Sequence, residues 1–341
     1  MNAVTPLRRD SVTAKERLLA SLASLSGLKD VELLVESKLA SDAPLLESIG
    51  RYLLSLGGKR MRPVLTLLVG KTFGLATPKQ ELLDVAAGIE LIHMATLLHD
   101  DIIDKSPIRR HKESAFLKFG VDSTLLTGDF LLTRAFSLCA RLDAFIIDET
   151  ERACIDLTEG EILEVPLHLQ NHTLNSSLEI ARKKTAALFR LASISATHLA
   201  KAGNEATSQM KIFGESLGIA FQILDDVLDV TAEENLLGKK SGMDLRERKP
   251  SIVNVLWLES GSELAKHLKT APTSHEDAFA DSALKELRGS RVVAEACALA
   301  TDFASKAQGA LTAACAAAPE FSKETVDELQ TLIEYTTERM E

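Results

Sequence analysis

One segment that is apolar on nearly every side places the strongest constraint on how this chain can fold. Residues 80–104, QELLDVAAGIELIHMATLLHDDIID, leave almost no polar face when they are wound into a helix. A helix that is apolar all round is buried among other helices, because any exposed side would leave apolar surface in water. The segment therefore predicts a helical domain with this helix at its centre.

Three polar residues of this segment share one face. His93 and Asp100 are two helical turns apart, and Asp104 follows one turn further on. Buried charge is costly unless it is compensated by partners. Their position on one face therefore predicts a functional site at the carboxyl end of the segment.

Helical periodicity recurs along almost the whole chain, and the alternation typical of strands is absent. We predict helices over residues 30–40, 44–56, 60–73, 80–104, 115–141, 148–164, 176–202, 207–232, 250–260, 282–317 and 323–339, of which 282–317 is too long to be one element. The stretch 261–281 is predicted to be a surface loop. We expect a frayed N-terminus over 1–12 and a single all-α domain over 13–341.

Charge and composition exclude several classes of protein. A net charge of −10 argues against nucleic-acid binding and against adhesion to anionic lipid. No uninterrupted apolar run reaches the ~18 residues of a membrane span, so we expect no stable membrane insertion. The N-terminus lacks the apolar core of a secretory signal, and the four cysteines form no C-x-x-C pair. These features predict a cytoplasmic protein with free thiols.

Two aspartate clusters share the spacing D-D-x-x-D, and each ends an apolar helix. They comprise Asp100, Asp101 and Asp104, and Asp225, Asp226 and Asp229. The first and last aspartates of each cluster project from one face and repel by a few tenths of a kcal/mol. Mg²⁺ prefers carboxylate and water oxygens and often shares them with substrate phosphates. A single cluster is typical of a solvated helix end, whereas two matched clusters favour a metal site.

Basic clusters complement the aspartates. They are 59–62 (KRMR), 109–112 (RRHK), 182–184 (RKK) and 239–240 (KK). Each alone is typical of a solvated patch. Together with metal-loaded carboxylates, they predict a site for a polyanion such as diphosphate.

These motifs resemble those of the trans-polyprenyl diphosphate synthases, which elongate allylic diphosphates with isopentenyl diphosphate. The matching stretches are GGKRMRP (57–63), IHMATLLHDDIID (92–104), RR (109–110), LLTGDFLL (125–132), EGEI (159–162), KKTAALF (183–189), FQILDDVLD (221–229) and GKKSGMDLRERKPS (238–251). The resemblance covers about residues 40–255. It implies an all-α bundle around a deep central cavity, the isoprenoid synthase type I fold, and a homodimer.

The resemblance also implies roles for individual residues. Mg²⁺ would be held by Asp100, Asp104 and Asp225, helped by Asp101, Asp226 and Asp229. The allylic diphosphate would be bound by Arg109, Lys184, Lys239 and Lys249. The diphosphate of isopentenyl diphosphate would be bound by Lys59, Arg62, His93 and Arg110. Thr185 and Gln222 would place oxygens near the developing allylic cation.

The chain also departs from the usual pattern of this family. The family usually reads RRGxPT after the first aspartates, whereas this chain has His111 after the two arginines. A glycine usually precedes the second loop lysine, where this chain has Arg248. Ser251 replaces threonine, and Val253 stands where proline is common. These differences concern loop geometry rather than ligands.

Small residues lie beneath the first aspartate cluster. Ala95 and Thr96 are five and four positions before Asp100, about 6–8 Å along the helix. In the family that the chain resembles, bulky aromatics there stop the growing tail early. We therefore predict a product longer than fifteen carbons, of the length of a quinone side chain, with Leu132 and Phe136 as candidates for a deeper floor. The alternative is that these small residues only pack helices together.

Other functions remain open from the sequence. The chain could be a short-chain geranylgeranyl diphosphate synthase or a class I terpene cyclase, although a cyclase has no use for Lys59, Arg62 and His93. It could be a binding subunit of a heteromeric synthase, although such subunits typically lose aspartates. A plain helical scaffold would not explain two matched acidic helix ends.

Overall fold

The computed structural model describes residues 13, 16, 17, 25–164, 172–232, 241–270 and 277–338, and these ranges are almost entirely helical. The α-helices are α1 (Leu28–Lys38), α2 (Pro44–Ser55), α3 (Met61–Thr72), α4 (Gln80–Ile103), α5 (Ala115–Phe119), α6 (Val121–Cys139), α7 (Ala144–Glu164), α8 (Leu174–Ile180), α9 (Ala187–Leu199), α10 (Asn204–Thr231), α11 (Met243–Arg246), α12 (Ile252–Glu259), α13 (Glu263–Thr270), α14 (Asp277–Arg288), α15 (Val292–Ala317) and α16 (Lys323–Glu338). A π-helical segment, Ala181–Ala186, joins α8 to α9. The prediction of an all-α fold is confirmed. The predicted frayed N-terminus, 1–12, and Lys239 lie outside the described residues.

Helix α4 occupies the centre of the bundle, as its apolar surface requires. It packs against α1, α3, α6 and α9. By length and hydropathy alone α4 could span a membrane, but 72% of its most apolar window is buried inside the fold. Burial on all sides is the position expected of a core helix in a bundle.

Helix α10 is the second long element of the site and carries the second aspartate cluster near its carboxyl end. It packs against α9, the π-helical segment and α15. Its apolar side chains contribute to two hydrophobic clusters, one shared with α3 and α4 and the other with α12, α14 and α15. The aspartates of α10 are therefore held on a helix that is fixed along most of its length.

Three local predictions were wrong. Gly120, with φ 90° and ψ 154°, breaks the predicted helix 115–141 into α5 and α6. A short antiparallel hairpin, β1 (Ile108–Arg109) and β2 (Lys112–Glu113), follows α4 although no strand was predicted. The predicted loop 261–281 contains α13 and the start of α14, and residues 271–276 lie outside the described part of the chain. Helix α13 packs onto α12 through the fully buried Ala265, a contact that a single small residue does not signal in the sequence.

Candidate active site

Two adjoining cavities lie between α4, the π-helical segment and α10. The first has a volume of about 210 Å³ and the second about 660 Å³. Thr185 and Gln222 line both of them. The side chains of these two residues therefore form the boundary between the cavities.

The first cavity, here called the acidic cavity, brings the two aspartate clusters face to face. Asp100 and Asp104 reach it from the end of α4, and Asp226 reaches it from α10. Arg109, Lys184 and Lys249 also line it. Three of the cations predicted to bind the allylic diphosphate thus surround the same space as three of the predicted metal ligands.

Not all six aspartates face this cavity. Asp101 is buried and accepts two hydrogen bonds from Arg109, at 2.8 Å from Nε and 2.5 Å from Nη2. Asp229 is buried and accepts a hydrogen bond from the backbone N–H of Asp244 at 3.0 Å. Asp225 lines the second cavity instead. Asp101 thus fixes an arginine and Asp229 caps the first turn of α11, and neither lines the acidic cavity.

Burial and neighbouring carboxylates perturb the acids of this cavity. Burial raises the pKa of Asp100 to about 7, and the charges of Glu161 and Asp104 add to the shift while Lys184 opposes it. Burial and the carboxylate of Asp244 likewise raise the pKa of Asp226 well above its usual value. At Asp100 the positive charges of Lys184 and Arg109 do not fully offset burial, a condition under which a further cation would bind favourably.

The lysines of the acidic cavity are already paired with carboxylates. Lys249 donates to Asp104 at 2.7 Å and lies 3.1 Å from Glu247. Lys184 lies 2.7 Å from Glu161 and donates to Glu164. Burial acts to lower the pKa of Lys184, but these carboxylates and Asp100 outweigh it and hold that pKa above its usual value. At Lys249 burial is likewise outweighed by Asp104 and other carboxylates, which hold its pKa above the usual value, so both lysines remain cationic at neutral pH.

The second cavity, here called the basic cavity, contains all four residues predicted to bind isopentenyl diphosphate. They are Lys59, Arg62, His93 and Arg110. The guanidinium of Arg62 lies over the ring of Phe189, 5.2 Å from its centroid. Burial, together with the charges of Arg62 and Arg110, lowers the pKa of His93 well below its usual value. His93 is therefore neutral and offers the cavity a hydrogen-bonding group rather than a charge.

A chain of hydrogen bonds crosses the boundary between the cavities. Thr185 Oγ1 donates to Gln222 Oε1 at 2.5 Å, and Gln222 Nε2 donates to Asp226 Oδ1 at 2.7 Å. This pattern orients the amide so that its oxygen is turned towards Thr185. Two side-chain oxygens are thus fixed where the acidic and basic cavities meet.

The π-helical segment explains how consecutive side chains serve different partners. Lys183 turns to Asp156 at 3.0 Å, whereas Lys184 and Thr185 line the cavities. Two glycines let neighbouring helices approach this widened turn. A Cβ at Gly160 would lie 2.8 Å from the backbone N of Lys184, and one at Gly218 would lie 2.5 Å from Cα of Ala186. Single π-turns of this kind are frequent at functional sites.

The hairpin after α4 sends consecutive arginines to different cavities. Arg109 lines the acidic cavity and Arg110 lines the basic cavity. The guanidinium of Arg110 packs against Gly58, where an added Cβ would lie 2.8 Å from Nη1. Arg110 and His111 form the turn with φ of 49° and 65°. Arg248, the other departure from the family pattern, also has a positive φ, of 57°. Both loops thus keep a left-handed backbone at positions where the family usually has glycine, which L-residues adopt at some cost.

Comparison with known proteins agrees with this geometry. Residues 43–287 match the family model described as polyprenyl synthetase. The chain belongs to the polyprenyl synthetase family. It is 36% identical to the octaprenyl diphosphate synthase of Escherichia coli over 237 residues, 69% of this chain and 73% of the relative. It is 33% identical to the geranylgeranyl diphosphate synthase of Methanosarcina mazei over 71% of this chain and 76% of the relative.

A solved structure with the same fold is the polyprenyl synthase of Caulobacter crescentus in complex with calcium and isoprenyl diphosphate. It superposes with a TM-score of 0.85 at 30% identity, covering 96% of this chain and 98% of that one. The chain is therefore an enzyme of the polyprenyl diphosphate synthase class.

Two acidic residues of this synthase site were not singled out from the sequence. Glu164 at the end of α7 and Asp244 in α11 both line the acidic cavity. Asp244 lies within the quoted stretch 238–251, and Glu164 lies just beyond EGEI (159–162), so the surrounding family motifs carried a signal for both. Nothing in their own spacing distinguishes them from solvated acids.

Ala95 and Thr96, predicted to set the length of the product, lie below the synthase site on α4, and the candidate floor residues Leu132 and Phe136 lie on α6. Ala95 is fully buried in the core, and Thr96 is partly buried and donates to the carbonyl of His93 at 2.9 Å. Leu132 packs against the core, but Phe136 is 43% exposed. In the single chain Phe136 therefore faces outwards and does not form an internal floor.

Proposed function

We propose that this synthase is a Mg²⁺-dependent prenyltransferase that adds isopentenyl diphosphate units, head-to-tail and in trans, to an allylic diphosphate primer. The supporting observation is the pair of cavities that meet at Thr185 and Gln222. Two diphosphates bound on either side would bring an allylic carbon and a double bond together at this boundary. Such positioning supplies much of the rate of a two-substrate reaction.

The acidic cavity fits magnesium by the chemistry of its donors. Asp100, Asp104 and Asp226 supply carboxylate oxygens, and Asp225 is adjacent to the last of them. Among the described residues, no three His, Cys, Asp or Glu side chains surround a single metal position. Mg²⁺ is usually held by one or two carboxylates together with substrate phosphates and water, which suits carboxylates on facing walls. When bound, it would neutralise charge on the departing diphosphate.

The protein's own cations would share that task. Arg109, Lys184 and Lys249 surround the space where negative charge would accumulate as the allylic C1–O bond breaks. Fixed cations stabilise this charge more in the transition state than in the ground state, and that difference lowers the barrier. The oxygens of Thr185 and Gln222 would face the allylic cation, and the proton lost after coupling would pass to the released diphosphate. No side-chain nucleophile is required.

We propose a product longer than fifteen carbons. Ala95 and Thr96 are small, and the octaprenyl and geranylgeranyl synthases to which the chain is similar are both named for products above that length. Thr96→Phe should shorten the product, because the ring would project beneath the metal site. Thr301→Phe on the exposed face of α15 is the control. If chromatography shows the same product length for Thr96→Phe and wild type, these residues do not limit the length of the product.

We also propose a homodimer in the cytoplasm. Large apolar side chains are exposed on α6 and α7, including Leu126 at 58%, Ile155 at 49% and Ile162 at 66%. A second copy of the chain would cover such surface, since exposed apolar patches mark interaction sites. Light scattering after size-exclusion chromatography tests this directly, and a monomer at micromolar concentration would contradict it.

The central experiment is incorporation of radiolabelled isopentenyl diphosphate with Mg²⁺ and geranyl, farnesyl or geranylgeranyl diphosphate as primer. We expect incorporation that EDTA abolishes. A twenty-carbon end product would favour the short-chain alternative. Failure with every primer, from folded protein, would favour a binding subunit of a heteromeric synthase.

A further inference from the structure

The lysine of the basic cavity is held differently from those of the acidic cavity. Lys59 follows two glycines between α2 and α3, is exposed, and lines the basic cavity. Its Nζ donates to the hydroxyl of Tyr335 at 2.5 Å and lies 5.2 Å from the centroid of that ring. Tyr335 is only 4% exposed and belongs to α16, far from Lys59 in sequence.

The nature of this partner matters for anion binding. Lys184 and Lys249 are each paired with carboxylates, so an incoming phosphate must compete with negative charge. Among the described residues, Lys59 makes no ion pair, and its hydrogen-bond partner is a phenol rather than a carboxylate. A phenol can orient an ammonium without neutralising it.

We propose that Tyr335 is a positioning residue that holds Lys59 in the basic cavity for the diphosphate of isopentenyl diphosphate. This inference rests on the proposed function of that cavity. A free lysine on a glycine loop would lose the entropy of four side-chain torsions on binding. Contact with a buried ring on α16 fixes the ammonium before the ligand arrives, which lowers that loss.

The position of Tyr335 is itself firmly determined. Helix α16 packs against α3. The backbone N–H of Ser322, just before α16, donates to the carbonyl of Thr72 at 2.8 Å. Lys71 Nζ lies 3.5 Å from Glu328 Oε2. Glu328 is seven residues before Tyr335, two turns along the same face. The pair Lys71–Glu328 therefore offers a control that loosens the same helix contact without touching Lys59.

Tyr335→Phe tests the proposal, because it removes the hydroxyl and keeps the ring. We expect the KM for isopentenyl diphosphate to rise about fivefold, the equivalent of one hydrogen bond, with kcat and the KM of the primer nearly unchanged. Glu328→Gln should leave all three constants near wild type. In a Lys59→Gln background, Tyr335→Phe should add nothing further.

Other outcomes separate this inference from the proposed function. An unchanged KM, an equal rise for both substrates, or additive effects in the double variant would overturn the positioning role while leaving the function intact. If the wild-type protein incorporates no isopentenyl diphosphate, the proposed function fails. Calorimetry of inorganic diphosphate binding then tests the contact between Lys59 and Tyr335 by itself. Equal affinity in Tyr335→Phe and wild type would overturn the positioning role of Tyr335.

Discussion

Thr185 donates its hydroxyl hydrogen to the side-chain oxygen of Gln222 at 2.5 Å, at the boundary between the acidic and basic cavities. One residue comes from the π-helical segment and the other from α10. Their contact ties two helices together where the two substrates would meet. It also fixes which end of the amide faces Thr185, because the amide nitrogen donates to Asp226.

Thr185→Val removes this hydrogen bond while preserving side-chain volume. We expect kcat to fall about 10- to 100-fold, since an oriented oxygen that faces developing charge is lost, with little change in either KM. Steady-state kinetics with both substrates varied measures this. Thr158→Val is the control, because Thr158 is exposed on α7 and its hydroxyl donates to the carbonyl of Cys154 in the same helix. A loss confined to KM would show that Thr185 binds substrate rather than acting in the chemical step.

His93 should make stability depend on pH. Its folded pKa lies well below its usual value because burial and the charges of Arg62 and Arg110 oppose protonation. In the unfolded chain this histidine has a pKa of ~6.5, so below that pH the unfolded chain binds a proton that the folded chain does not. The stability of the fold is therefore highest above pH ~6.5 and decreases as the pH falls below it. Melting temperatures at pH 7.5 and 5.5 should therefore differ less for His93→Gln than for wild type. His267→Gln, at an exposed position, is the control and should keep the wild-type difference.

The turn at Arg110 and His111 should carry removable strain. His111 is exposed and has φ 65°. His111→Gly should raise the free energy of unfolding by about 1 kcal/mol, the left-handed cost less the extra flexibility of glycine in the unfolded chain. His111→Ala removes the same ring but keeps the strain, so it should not stabilise. Denaturant unfolding of both variants decides between these outcomes, and equal stability would show that the turn is unstrained.

The sequence predicted the long elements and the acidic end of each aspartate-bearing helix because both follow from local periodicity and spacing. The all-round apolar surface of 80–104 determined that α4 is central, and its polar face pointed to Asp100 and Asp104. Features that depend on contacts distant in sequence were missed. Asp101 turns to Arg109 and Asp229 to the N–H of Asp244, and spacing alone does not distinguish these aspartates from their neighbours. The π-turn that separates Lys183 from Lys184 likewise depends on the close approach of Gly160 and Gly218.

Binding of magnesium and diphosphate should require the acidic cavity and should be visible without turnover. Asp100 is buried, and the charges of Glu161 and Asp104 add to the rise in its pKa, so a cation would relieve repulsion that the free protein retains. A ligand at one hundred times its Kd stabilises the folded state by about 2.7 kcal/mol. Wild-type protein should therefore melt several degrees higher when Mg²⁺ and inorganic diphosphate are added together than with either alone. Asp104→Asn should lose this shift.

The matched control for Asp104→Asn is Asp84→Asn on the same helix. Asp84 is buried and accepts a hydrogen bond from Gln80 at 2.9 Å, but it lines neither cavity. Its variant should keep the full shift even if its starting melting temperature is lower. Equal shifts in Asp104→Asn and Asp84→Asn would mean that the ligands bind elsewhere on the protein, and the metal site assigned to the facing helices would then be wrong.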